Sequence, residues 1–213
     1  LDETLQEIRR LAPPSLAQGD SAAPARMDLP RSLAQPNAAV QARAECVNGY
    51  WPVALGRFYR FVHEMRRASP SGLKRHDLAD EIYKDGNPFP LRILNVSAEA
   101  VWNPQSGRWD VRHDPSPLPR VWVVWRAEFV GDDEAALSRL RDPGFDPGVT
   151  VLLEQTRDGK SQADGPGVRA AGAQRADIVR YADCELLVKA ESQQPAWLVV
   201  SQIHYPGWRA TVD

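Results

Sequence analysis

The sequence predicts a mixed α+β fold, in which a part built of short helices and strands is followed by an antiparallel β-sandwich-like part. Three observations lead there. Apolar residues near the start recur at helical spacing, residues 121–130 form the most apolar segment, its first half apolar on both faces and its second half alternating, and short alternating segments crowd the chain after residue 176. With 213 residues, 43% of them apolar, the chain is long enough to bury a real core. Its 18 prolines point to many turns and long connections. The expected organisation is an α+β part over residues 1–155, a polar Gly-rich loop or linker over 156–176, and an antiparallel β meander over 177–213.

Taken in order, Leu1, Leu5, Ile8 and Leu11 place a short amphipathic helix over residues 2–11, which Pro13-Pro14 ends. Residues 15–37 lack periodicity and read as a surface loop with one short strand near Met27 to Leu29. Residues 38–46 suit a strand or a short helix, and Asn48-Gly49 marks a turn. Pro52 fits the first position of a helix whose apolar face is Val53, Leu55, Phe58, Tyr59, Val62 and Met65. His76, Asp77, Asp80 and Glu81 have a spacing that a metal can use, but Asp77 as an N-cap with acidic residues in the first turn accounts for them better. Leu91 to Val101 reads as a strand, and Asn103 to Gly107 as a hairpin turn into Trp109. Residues 121–130 are the central strand, and Gly131-Asp132-Asp133 caps a helix through Arg141. Asp142-Pro-Gly-Phe-Asp-Pro-Gly148 is a double turn, followed by a strand over 149–154. Strands are then expected at 177–181, 184–190, 197–203 and 208–212.

Composition and motif content narrow the function classes. A formal net charge of -2 gives no global attraction to nucleic acid or acidic membranes. Arg57-Phe-Tyr-Arg-Phe61 interleaves bases and aromatics, but the pattern is that of a helix with an apolar face. No run reaches the ~18–20 apolar residues that cross a bilayer. The chain opens on Leu1 and stops at Asp213 with its last strand barely begun, so it reads as excised from a longer parent. Cys46 and Cys184 have no metal-ligand spacing; they are either two buried free thiols or a disulfide stapling the halves. No Gly-rich phosphate loop, GxSxG elbow or HExxH occurs, so no catalytic residue, metal ligand or cofactor is assigned.

The tryptophans and the C-terminal turn carry the remaining signal. Trp122, Trp125 and Trp197 lie in apolar strands and are expected in the core, whereas Trp102, Trp109 and Trp208 lie near turns, where a ring can cover a core edge or stack on a sugar. Pro206-Gly207 breaks the chain between Tyr205 and Trp208, which flank the reversal.

Three stretches then act together. The first is Asn37, Asn48-Gly49-Tyr50 and Arg57-Phe58-Tyr59-Arg60; the second runs from Leu118-Pro-Arg-Val-Trp-Val-Val124 through Asp133-Glu-Ala-Ala-Leu137 and Arg141-Asp-Pro-Gly-Phe-Asp-Pro147 to Val149-Thr-Val-Leu-Leu-Glu154; the third is Tyr205-Pro-Gly-Trp-Arg-Ala-Thr-Val-Asp213. In this order they resemble the extracytoplasmic C-terminal region of the bacterial YfhO-like membrane proteins, which belong to or lie close to the C-type glycosyltransferases that use polyprenyl-phosphate sugars. The resemblance implies a module outside the cell membrane, joined to its own membrane-spanning domain, that supports glycosyl transfer by covering the membrane site or by holding a cell-envelope acceptor glycan. The family usually has Asp where this chain has Trp51 and continues past the final Asp with more strands. Its catalytic acid lies between membrane helices, and nothing here matches that region. The sugar-contacting candidates are Tyr205, Trp208 and Arg209, with Tyr50 and Trp51 second. Two rivals stand beside this reading. A purely structural module predicts one large apolar surface patch, and a free-standing soluble enzyme predicts a deep pocket with converging groups such as His76 and Asp80 or His204 and Arg209.

Overall fold

The computed structural model describes residues 2–11, 26–29, 41–42, 45, 56–66, 92–113, 116–154, 174–182, 184–204 and 207–212. It shows a mixed α+β fold. Helices α1 (Asp2–Leu11), α2 (Gly56–Arg66) and α3 (Asp133–Arg141) accompany nine strands. These are β1 (Arg26–Asp28), β2 (Val96–Asn103), β3 (Arg108–His113), β4 (Val121–Val124), β5 (Arg126–Val130), β6 (Thr150–Glu154), β7 (Gln174–Ala182), β8 (Glu185–Ser192) and β9 (Trp197–Val200).

The strands form four small sheets. β2 is central to the first, parallel to β1 and antiparallel to β3. Its inward residues Ala98 and Ala100 are nearly bare of side chain, which lets α1 come close. Ile8 and Leu11 of α1 then bury against Met27, Leu29 and those alanines. Pro104 to Gly107 turns β2 into β3, with Gly107 at φ 64°, a conformation that suits a residue without Cβ. Asn103 caps this turn by accepting from the backbone N–H groups of Gln105 and Ser106.

The expected central strand is two strands. β4 pairs antiparallel with β9, the ladder lapses at Trp125, and β5 pairs parallel with β6. The second half makes a β5–α3–β6 unit, in which a helix supplies the crossover that parallel strands need. Asp132 caps α3: its backbone is extended and its carboxylate accepts from Ala135 N–H at 2.8 Å. Asp133 and Glu134 stand in the first turn and Arg139 and Arg141 in the last, each sign matched to the helix dipole. Leu137 is the buried contact of α3.

The double turn after α3 repeats one device. Asp142 and Asp146 each accept from the N–H of the glycine two residues on, Gly144 and Gly148. Phe145 is buried between the two turns, with the Arg139 guanidinium 5.2 Å from its ring centre. The Pro147 carbonyl accepts from the Trp122 indole, which ties the turn to β4.

Several sequence expectations need revision. The stretch 91–101 becomes a strand only at Val96. Arg92 and Ile93 form a short helical turn, and Asn95 takes φ 59° while its side chain donates to the Leu118 carbonyl. The 177–213 region is not one meander. β7 and β8 are an antiparallel hairpin, but β9 leaves them for β4, and 208–212 carries no strand. β9 (WLVV) and β4 (VWVV) are both apolar on both faces and gain by covering each other, whereas β8 ends in exposed charged residues. Alternation at 208–212 is not enough by itself, since a strand needs a ladder partner and none faces it among the described residues. Cys184 is an exposed free thiol, neither buried nor bridged; Cys46 lies outside the described residues. The expected features at Pro52 and at His76 to Glu81 also lie outside them, as does 156–173 of the loop expected over 156–176, whose last three residues instead open β7.

Replacing Asp132 by Ala removes the cap of α3 and should lower stability by about 1 kcal/mol. Urea denaturation measures it; an unchanged midpoint means that α3 does not depend on its cap.

Candidate functional site

Strand pairing determines which polar residues meet. The Val121–Val200 register places Arg120 beside Ser201, whose N–H donates to the Arg120 carbonyl at 2.8 Å. On the first sheet, Met27 N–H donates to the Glu45 carbonyl, which brings Glu45 next to Arg26. Tyr181, near the end of β7, completes the group, because β7 runs alongside β4.

The resulting cluster joins three of the four sheets through side chains. Arg120 donates to Glu45 Oε2 at 2.9 Å, to the Tyr181 hydroxyl at 2.9 Å and to Gln202 Oε1 at 2.9 Å. Arg26 donates to the Leu94 carbonyl at 3.0 Å, to Ser201 Oγ at 3.2 Å and to Gln202 Oε1 at 3.2 Å, with its Nε 3.6 Å from Glu45 Oε2. The Tyr181 hydroxyl donates to Glu45 Oε1, and Ser201 Oγ donates to the Ile93 carbonyl. The Arg120 guanidinium also lies 5.3 Å from the Tyr181 ring centre.

Arg120 is 6% exposed, and among the described residues its Nε has no hydrogen-bond partner. Two guanidiniums therefore share one carboxylate in a partly buried place. Burial, with the Arg120 charge next, presses Arg26 down to about 10, which leaves it charged at neutral pH. Burial and the hydrogen bond to Glu45 push the Tyr181 phenol up to about 12. Neither group can relay a proton near neutrality. The Ser201 hydroxyl donates to a backbone carbonyl and accepts from Arg26, and no base among the described residues hydrogen-bonds to it. The cluster offers two guanidiniums whose N–H groups can meet an oxygen acceptor by charge and hydrogen bonds.

The sequence-derived candidates lie elsewhere. Trp208 is 39% exposed and Arg209 is exposed beside it, just after Gly207 at φ 114°. Tyr205, Tyr50 and Trp51 lie outside the described residues. His204 is exposed, and His76 and Asp80 are not among the described residues. No group of three or more potential metal-binding side chains occurs among the described residues. Of the other tryptophans, Trp122, Trp125 and Trp197 are half-buried, whereas Trp102 is 49% exposed and meets Trp109 edge to face. The structure thus puts Trp102 and Trp208 at the surface and leaves the polar cluster, which no sequence motif marks, as the most highly connected polar site among the described residues.

The first and second of the stretches quoted above also meet in space. Arg57 pairs with Asp133 and Glu154, and Arg60 with Asp133 and Glu134, so α2 docks on the start of α3 and the end of β6. Arg141 pairs with Glu64 at 2.7 Å. Such exposed pairs each contribute little energy but set how two helices are aligned. Comparison with known proteins finds no matching family model, no matching curated protein and no matching solved structure.

The raised Tyr181 pKa yields a pH signature. In the unfolded chain the phenol ionises near 10, while in the folded chain it stays neutral to about 12. The unfolded state therefore loses its proton first, and the Tyr181 contribution to stability, complete below pH 10, disappears between pH 10 and about 12. Denaturation of wild type and Tyr181→Phe across that range should show the difference between them shrinking as pH rises; a constant difference contradicts the burial of the phenol.

Proposed function

We propose that this chain is the extracytoplasmic module of a YfhO-like membrane protein, supporting glycosyl transfer from a polyprenyl-phosphate sugar to a cell-envelope acceptor. The module covers the membrane-embedded site or holds the acceptor glycan, and the chemistry belongs to the membrane-spanning part. The observation that carries this reading is the ordered set of three stretches from Asn37 to Asp213. It is supported by their spatial relation: Arg57 and Arg60 of the first bind acidic residues of the second, and β9, which leads into the third, pairs with β4 of the second. No helix among the described residues is long and apolar enough to cross a membrane.

A glycan-holding role is favoured by the exposed indole of Trp208 with the Arg209 guanidinium next in the chain. An indole face stacks on the C–H face of a pyranose, and a guanidinium hydrogen-bonds hydroxyls or phosphate. A purely structural role is the alternative. The scattered exposure of Val179, Leu187 and Leu198 gives it some surface to work with, at 47%, 50% and 45% exposed.

Two measurements bear on the proposal. Trp208→Ala should leave the circular dichroism spectrum and unfolding midpoint within error of wild type while weakening binding to purified cell-envelope glycan about tenfold, the equivalent of ~1.4 kcal/mol. Loss of fold on that substitution instead makes Trp208 a packing residue. For the membrane side, Cys184 is a ready label. In the full-length protein with Cys184 as its sole cysteine, a membrane-impermeant maleimide should react in intact cells once the outer layers are permeabilised. Labelling only after the inner membrane is broken places the module in the cytoplasm and ends the proposal.

A further inference from the structure

We propose that the Arg26–Arg120 pair is a binding site for a phosphate-class oxyanion, in which the Gln202 amide oxygen occupies the position of one anion oxygen. The argument starts from Gln202 Oε1. This neutral atom accepts from Arg26 at 3.2 Å and from Arg120 at 2.9 Å at the same time. One oxygen shared by two guanidiniums is the geometry of a phosphate or phosphomonoester held by two arginines, and a charged oxygen there gains far more than an amide does.

The two sides of the contact differ in freedom. Arg120 is held from below: 6% exposed, clamped by Glu45 and Tyr181, and with a buried Nε that has no partner among the described residues. Arg26 is fixed by the Leu94 carbonyl and Ser201. Gln202 sits just past β9 and is exposed, so its side chain can swing away provided that an incoming anion oxygen takes over the hydrogen bonds that Arg26 and Arg120 give it. The donors are rigid and the stand-in acceptor is removable, as a preorganised anion site requires.

Charge points the same way. The groups facing the site are Arg26, Arg120, Glu45 and the neutral Tyr181, so two positive charges meet one negative. A singly charged phosphate-class anion that displaces Gln202 cancels this surplus. Glu45 is already engaged by Arg120 and Tyr181, so it keeps the guanidiniums oriented and need not leave. This proposal stands on the cluster alone and holds or fails independently of a membrane parent.

The experiment compares the thermal unfolding of wild type, Gln202→Ala and Gln202→Glu in sodium phosphate and in sodium chloride of matched ionic strength. Wild type and Gln202→Ala should gain stability in phosphate beyond chloride. Gln202→Glu supplies an internal anion. It should be the most stable of the three in chloride, lose the phosphate-specific gain, and bind phosphate about tenfold or more weakly in a 31P line-broadening titration. Flotation with phosphatidylcholine vesicles, with and without phosphatidic acid, separates two sources of the group. Capture only by vesicles that carry phosphatidic acid assigns a lipid headgroup, and phosphate binding without capture assigns a soluble phosphate; either supports the site. Equal phosphate gains in wild type and Gln202→Glu, with no 31P broadening by wild type or by Gln202→Ala, overturn it.

Discussion

A guanidinium taken almost entirely out of water is the constraint on which this fold turns. Arg120 sits at the entrance of an apolar strand and is nearly inaccessible. Such a charge costs several kcal/mol to bury unless a carboxylate and hydrogen-bond acceptors meet it. Its acceptors come from distant parts of the chain: Glu45 beside β1, Tyr181 on β7 and Gln202 after β9. Among the described residues one sheet has three strands and the other three have only two, too few to be independently robust. The Arg120 cluster is where three of them become mutually dependent. The α1 side is held differently, by plain apolar burial of Ile8, Leu11, Met27 and Leu29.

The local features of the chain were legible because local chemistry specifies them. α1 follows from Leu5, Ile8 and Leu11; the α3 cap follows from Asp132; the two Asp-Pro-Gly segments announce the two turns that they form. Partner choice was not legible. The pattern of residues 121–130 shifts from apolar on both faces to alternating near Trp125, but that shift does not say that the ladder changes partner there, because one strand running from the middle of a sheet to its rim has the same pattern. The alternation at 208–212 misled for the converse reason: it reports which faces a strand would have, not whether a neighbour exists to pair with it. The polar cluster was invisible because its members are separated by tens of residues and belong to no motif. Arg120 stood in view within Leu118-Pro-Arg120-Val121, and an arginine opening an apolar strand is the one hint that a buried partner must exist.

Two surfaces with different physics now coexist on one module. The C-terminal turn offers an indole and a guanidinium in water, suited to a neutral polyol. The Arg26–Arg120 pair offers concentrated positive charge in a drier setting, suited to a compact anion. The two lie close in sequence, since Gln202 and Trp208 both follow β9.

The division of residues 121–130 between two sheets has a consequence for how the chain can vary. β4 and β5 are one stretch of backbone with a single residue, Trp125, between them. Side chains alternate with a period of two, so gaining or losing one residue here would rotate everything downstream to the opposite face. Phe129 and Val130 would turn away from their present neighbours while Arg120 kept its place. The segment therefore acts as a ruler: the count from Arg120 to the start of α3 is a fixed length, and drift in that interval should be far rarer than at the exposed Pro104–Gly107 bend, where extra residues meet only solvent.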